Sequence, residues 1–328
     1  MRKNMNLQLF TDGDNGNSPV RIYSKQFMGL MAAVFNVQAH FRDLFAGDLE
    51  TIDGITETAT AFSVKTSDIA SAITTGTVSA AGAYTNGYDK GANVAFGTGT
   101  GKSSRFGNRT EIIYKNIDVP YSWNWTFHEG IDRHTVNNDF DGTIAERLDK
   151  QAQEKVAIMN GIHGAYISSV AKETIEAAGI SEATAKTIFN EASKYFVNIN
   201  AVGTKVAKVC PDLWNAIIDS GLATTAKGST VNIDQNEVKM FKGFVLEQIP
   251  DNDFAKTTVA IEGTDTQCQD IAYFYVQNIG KAYLGISTSR TIESEDFDGV
   301  ALQGAGKGGQ WVSNDNQKAI AKAINVGA

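Results

Sequence analysis

The apolar positions of this chain change period several times, and each change marks a different kind of element. Phe27, Leu30, Met31, Val34, Phe41, Leu44 and Phe45 recur at the spacing of one helix face. A polar, glycine-rich run at residues 11–18 precedes them and reads as an arm. A helix this apolar needs a surface to cover, on its own domain or on a neighbouring copy. Over residues 51–115 the helical period disappears and Thr, Ser, Gly and Ala dominate. Residues 61–65 and 111–119 are strand-like, and between them lies Gly97-Thr98-Gly99-Thr100-Gly101. Two extended limbs and a glycine tip describe a long hairpin-like excursion, of the sort that is either functional or bound to something else.

The longest regular pattern follows. Ile144, Leu148, Ala152, Val156, Met159, His163, Tyr166 and Val170 advance by three or four residues, with charged residues on the other faces. Asp139 and Asp141 suit the N-terminus of such a helix. A second helix is predicted from Ser181, a suitable N-cap, through Ala185, Ile188, Phe189, Ala192 and Phe196. Residues 205–210 read as a strand leading through Pro211 into a helix over 212–218 that Gly221 stops. Further strands are expected at 245–249, 271–276, 281–286 and 290–293. The glycine cluster 304–309 and Trp311-Val312 come next, and residues 317–324 read as a last helical piece.

Bulk properties narrow the function. The chain has 328 residues, enough for one large domain or two or three modules, and its net charge is −8. A protein that grips nucleic acid neutralises phosphates with Lys and Arg, so tight general DNA binding is not expected. No apolar run has bilayer length, and residues 7–10 are too few for a signal-peptide core, which points to folding in the cytoplasm. Cys210 and Cys268 then read as reduced, partly buried thiols.

The motifs that suggest catalysis fail on physical grounds. Gly101-Lys102-Ser103 looks like the end of a phosphate-binding loop, but Phe96 stands where such a loop needs a small residue. A helix should also start at the lysine, and the chain continues through Phe106-Gly107-Asn108-Arg109 into a strand instead. His128 and His134 are too far apart for the zinc-protease spacing, and His40 and His163 sit in separate helical patterns. No nucleophile elbow appears, and the acids near residue 295 read as a solvated turn. No cofactor, metal or catalytic residue is expected. One charge pattern stands out: Lys102, Arg105 and Arg109 lie at the glycine tip, and Glu293, Glu295, Asp296 and Asp298 lie in a late acidic segment. In a shell of identical subunits, a basic protrusion would dock on an acidic patch of the next copy; the alternative is that both are simply solvated.

The order of elements resembles the major capsid proteins of tailed double-stranded-DNA bacteriophages with the Hong Kong 97-type fold. Met5-Asn6-Leu7-Gln8-Leu9-Phe10 is similar to the opening of many such proteins from phages of Gram-positive hosts. The helix near 142–171 resembles the spine helix. Val209-Cys210-Pro211-Asp212-Leu213-Trp214 resembles the strand-to-helix step of the axial domain. Residues 244–250 are similar to the family's glycine-led strand ending near a proline. Ala282-Tyr283-Leu284-Gly285-Ile286 and Phe297-Asp298-Gly299-Val300 resemble the strands that return to the peripheral domain.

The resemblance implies an α+β fold with an N-terminal arm (1–50) and an extended loop (51–120, glycine-rich tip near 97–107). A peripheral domain with the spine helix (121–174), an axial domain (175–270), and return strands with the C-terminus (271–328) complete it. It implies self-assembly into an icosahedral head shell around phage DNA, through hexamers and pentamers. The short stretch before the arm implies a separate scaffolding protein. A portal protein, weakly touched DNA and, optionally, decoration proteins are further partners, with no membrane. Some members form Lys–Asn cross-links; Lys102 is the one donor at the tip, and no acceptor motif is visible. The competing readings are an encapsulin-like nanocompartment shell and, from another class, a phage tail or adhesion protein.

Overall fold

The computed structural model describes residues 39–46, 50–51, 60–67, 77–78, 84–85, 113–133, 140–221, 224–225, 239–261, 264–285, 287–293 and 298–327. By internal contacts the chain divides into a smaller unit, Glu57–Pro120, and a larger one made of Met1–Thr56 and Tyr121–Ala328. In chain order the first strands are β1 (Glu50–Thr51), β2 (Thr60–Ser67), β3 (Thr77–Val78), β4 (Tyr84–Thr85), β5 (Tyr114–Pro120) and β6 (Trp123–Asp132).

In the smaller unit β2 and β5 pair antiparallel, and β3 pairs with β4. The β2–β5 register sets Val64 opposite Ile117 and Phe62 opposite Val119, so one face of this ribbon is apolar. The other face pairs Ser63 with Asp118, and the Ser63 hydroxyl donates to that carboxylate. Ile113, Tyr114 and Ile117 are 60%, 68% and 39% exposed, which is unusual for large apolar side chains on a ribbon of two strands.

The larger unit is built on two sheets and a long helix, α1 (Phe140–Val170), close to the predicted span. Of its predicted inward positions, Ile144, Leu148, Ala152, Val156, Met159 and His163 are buried, and Tyr166 and Val170 are half-buried. Then come β7 (Glu173–Ala177), α2 (Glu182–Asn198), β8 (Lys205–Val209), α3 (Pro211–Asp219), β9 (Thr224–Thr225), β10 (Lys239–Phe241) and β11 (Phe244–Gln248). Ser181 caps α2 in a reciprocal box with Thr184, Pro211 opens α3, and Gly221 ends it with φ 67°. Lys242 and Gly243, with φ 51° and 87°, make the tight turn that joins β10 to β11.

The remaining elements are β12 (Lys256–Ile261), β13 (Thr264–Val276), β14 (Gly280–Leu284), β15 (Thr288–Glu293), β16 (Gly299–Val312), a short α4 (Asn314–Gln317) and β17 (Ile320–Asn325). The larger sheet runs β7-β17-β13-β8-β11-β10-β9, with β12 also on β13. Its core joins Phe189 and Phe196 of α2 to Phe244 and Phe274 on the strands, with ring centroids 5.1 to 6.0 Å apart. The other sheet runs β1-β14-β16-β15, with β6 on the far side of β16.

Two expectations need correction. The helical pattern that began at Phe27 ends in a 3-10 turn, Arg42–Leu44, and Phe45 forms a bridge to Gly280; residues 27–38 lie outside the described residues. Phe41, Leu44 and Phe45 are all buried, so tertiary packing overrides the period there. Residues 317–324 are not a helix: α4 stops at Gln317 and Ile320–Asn325 is a strand between β7 and β13. Ile320, Ala321, Ala323 and Ile324 are fully buried, and a strand covered on both faces shows no alternation to distinguish it from a helix. The glycines at 304–309, to which no element was assigned from the sequence, lie inside the 14-residue strand β16.

α1 is held close to the 3-10 turn Asp251–Asp253, because a Cβ on Gly164 would overlap the Asp253 carbonyl oxygen. Since the obstacle is backbone, Gly164→Ala is expected to cost about 1–3 kcal/mol of stability by urea denaturation, the range for overpacking a close contact.

Candidate functional site

The residues predicted to carry function separate as follows. Lys102, Arg105 and Arg109, with the whole glycine tip, and Glu295 and Asp296 lie outside the described residues. Glu293 and Asp298 are described, and both meet Arg133, at 3.1 and 3.6 Å. That links the end of β15 to the end of β6 within the same unit. All three side chains are well exposed, so the pair contributes little to stability.

His134 lies outside the described residues, and the three described histidines do not converge. His128 bonds Gln303 on the neighbouring strand, His40 faces Asp253, and His163 is buried on α1. Among the described residues no group of His, Cys, Asp and Glu is placed to hold a metal ion. Cys210 and Cys268 are buried free thiols, and burial pushes Cys210 up from the ordinary thiol range.

A groove of about 410 Å³ lies between β6 and α1. Its floor is set by a glycine–aromatic ladder that the sequence reading missed. Gly304, Gly306 and Gly308 on β16 stand opposite Phe127, Trp125 and Trp123 on β6. A Cβ on any of the three would overlap the facing ring. The rings therefore lie down on the glycines, and Trp125 and Phe127 stack parallel, 5.8 Å apart. The visible signal was alternation on both strands, Gly at every second position of 304–308 and an aromatic at every second position of 123–127.

Over this floor α1 places the Lys155 ammonium 3.0 Å from the Trp125 ring centroid. Burial pushes Lys155 down to about 7, while the electron-rich ring face favours the charged form. At the other end Glu129 binds Arg147 and accepts from Gln151 at 2.8 Å. The Arg147 hydrogen bond holds that carboxyl below its usual range. Ile158, 51% exposed, forms part of the rim. The arrangement is an apolar cradle with fixed charges. Among the described residues it contains no nucleophile–base pair.

No family model matches the chain, and no curated protein matches it by sequence. Solved structures match it along most of its length. The capsid of the Cyanophage P-SCSP1u superposes with TM-score 0.56 at 11% identity, covering 86% of this chain and 88% of that one. The mature capsid of bacteriophage PhiM1 gives 0.57 at 9% identity, over 87% and 88%. The capsid of Ralstonia phage GP4 gives 0.53 at 10%, over 88% and 91%. The chain therefore has the α+β fold of these phage capsid structures, the Hong Kong 97-type fold. At such identity the likeness defines the fold and assigns no residue a role.

Burial also makes α1 sensitive to acid. His163 is 3% exposed, its ring nitrogens have no partner among the described residues, and desolvation pushes it down to about 4. The folded state thus keeps the neutral imidazole, whereas the unfolded chain takes up a proton near pH 6.5. Stability is full above that pH and falls by about 1.4 kcal/mol per unit as pH drops toward 4. His163→Leu should remove this part of the acid loss, read from urea midpoints at about pH 7 and about pH 4.5.

Proposed function

We propose that this chain is the major capsid protein of a tailed bacteriophage, assembling into the icosahedral shell that encloses double-stranded DNA. The observation that carries this reading is the match to phage capsid structures over most of both chains. The exposed apolar residues of the β2–β5 ribbon support it, since a two-stranded ribbon gains stability by burying such a face against something else. In this reading Glu57–Pro120 is the extended loop, and α1 with the β14-β16-β15 sheet is the peripheral domain. The larger sheet with α2 and α3 is the axial domain.

Many weak copies of one contact then make a stable shell by multivalency. An acidic subunit, net charge −8, also avoids adhering to a genome that must later leave. The role is structural, in the virion, after assembly in the bacterial cytoplasm. The partners are other copies in hexamers and pentamers, a separate scaffolding protein, a portal protein, weakly touched DNA and, in some settings, decoration proteins. Expressing the chain alone and with a candidate scaffold, followed by negative-stain electron microscopy, tests it. Closed shells, tubes or hexameric and pentameric rings are expected. A stable monomer or small dimer under both conditions contradicts the reading, and enzyme cargo inside the shells would favour a nanocompartment.

The basic tip is proposed to dock on the acidic segment of the next copy. Arg133 already shares Glu293 and Asp298 within the subunit, so the incoming cations would join that cluster. The Arg105→Glu, Arg109→Glu double variant should stay folded by circular dichroism and yield few particles. Normal particle yield would remove this contact from the account.

A further inference from the structure

The groove under α1 uses one face of the sheet formed by β6, β16 and β15, and the other face is open. The register aligns Thr126, Ala305 and Thr288 in one row and His128, Gln303 and Arg290 in the next. Successive residues of a strand point to opposite faces, so both rows and Lys307 lie on the side away from Trp125 and Phe127. Thr126 and His128 on β6, Ala305 and Lys307 on β16, and Thr288 and Arg290 on β15 are all exposed. The two rows border a concavity of about 520 Å³, lined by His128, Gln303, Arg290 and Thr288 among others.

In the second row each polar group fixes the next. Arg290 can only donate, and its Nε donates to the Gln303 side-chain oxygen at 3.0 Å, which sets the orientation of that amide. The Gln303 amide nitrogen therefore faces His128 Nε2, at 3.0 Å, and donates to it. An N–H must meet a lone pair, so Nε2 is bare and the ring proton sits on Nδ1. The row thus ends in donors on both sides, His128 Nδ1–H on β6 and the two terminal nitrogens of Arg290 on β15. Neither end has a further partner among the described residues. Thr288, two residues from Arg290 on the same face, adds a hydroxyl, and Lys307 adds a second cation.

Charge decides which partner suits these donors. The chain carries −8 overall, yet this face presents Arg290 and Lys307, and among the described residues no carboxylate lines the concavity. Outward donors without acceptors fit an oxyanion. A nucleic acid would find only two fixed cations here, on a subunit whose net charge repels it. A carboxylate is planar, and the terminal edge of a guanidinium meets its two oxygens in parallel hydrogen bonds. Because Gln303 already holds that guanidinium, part of the ordering cost of binding is met beforehand.

We propose that the open face of this sheet is a docking site for an acidic segment of a partner protein. One Asp or Glu carboxylate of that segment sits on the Arg290 edge beside Thr288, and a second accepts from His128 Nδ1. Gln303 is the positioning residue, since it orients the donors at both ends of the row without meeting the partner itself. The inference stands on the sheet alone and is independent of the capsid reading.

Nuclear magnetic resonance on the full chain, with isotope-labelled arginine and histidine side chains, tests it at low salt. Titration with a capped Gly-Asp-Glu-Asp-Gly peptide should shift the Arg290 Nε–H and His128 ring signals and saturate with a Kd on the order of 1 mM. Arg290→Gln should weaken binding about tenfold. Gln303→Leu keeps every charge but releases the guanidinium and the imidazole, and should weaken it about threefold. Lys194→Gln, which removes an exposed cation on α2, should leave it unchanged. Absence of a saturable shift overturns the site, as does unchanged binding in Gln303→Leu or equal weakening by Arg290→Gln and Lys194→Gln. Tighter binding of a short DNA duplex than of the peptide would assign the face to nucleic acid and overturn it too.

Discussion

The larger unit depends on one strand being enclosed on both faces. Ile271 to Val276 of β13 are each 5% exposed or less. Phe274 enters the aromatic cluster of α2, and on the opposite face Tyr273 packs between Phe41 and Phe254. Enclosure on both faces forces every polar atom to find a partner. The Tyr275 hydroxyl donates to Asp43, and the Tyr273 hydroxyl donates to Asp270, which is fully buried. Asp270 also accepts from Thr257, whose hydroxyl in turn accepts from Lys322 at 2.8 Å. A buried cation and a buried carboxylate are thus joined through one hydroxyl. Burial pushes Lys322 below the usual lysine range, and Asp270 partly offsets this.

The same strand explains why the segment from Phe41 to Phe45 belongs to the domain. Without that cover the Tyr273 and Tyr275 face of β13 would be open. The helix α1 is set by different means, through Gly164 against the Asp251–Asp253 turn and through Lys155 on the Trp125 ring. The glycine–aromatic ladder adds the second sheet beneath it. A β strand with glycine at alternate positions has no side-chain surface of its own, and Trp123, Trp125 and Phe127 provide it from β6.

Much of this was legible in the sequence. The α1 pattern was long and regular, and its apolar positions became the buried face. The Ser181 cap, Pro211 and Gly221 signals placed α2 and α3 to within a residue or two. What failed has physical causes. β17 is enclosed like β13, so its apolar residues form a run and not an alternation. The ladder was hidden because glycine reads as a breaker unless the partner strand is known, and strand pairing is not a local property. The Arg133 cluster joins residues 160 or more positions apart, which no local spacing reveals. The order of elements, by contrast, already resembled the capsid fold that the structure has.

The central claim is that a subunit with a self-sufficient core carries an apolar ribbon face that finds cover only in an assembled particle. Hydroxyl-radical footprinting of Ile117, in dissociated subunits and in purified particles, measures that cover directly. The account predicts clear labelling in free subunits, matching its exposure of 39%, and a severalfold decrease in particles. Equal labelling in both states would mean that the ribbon face is not an assembly contact, and the account would be wrong at its centre.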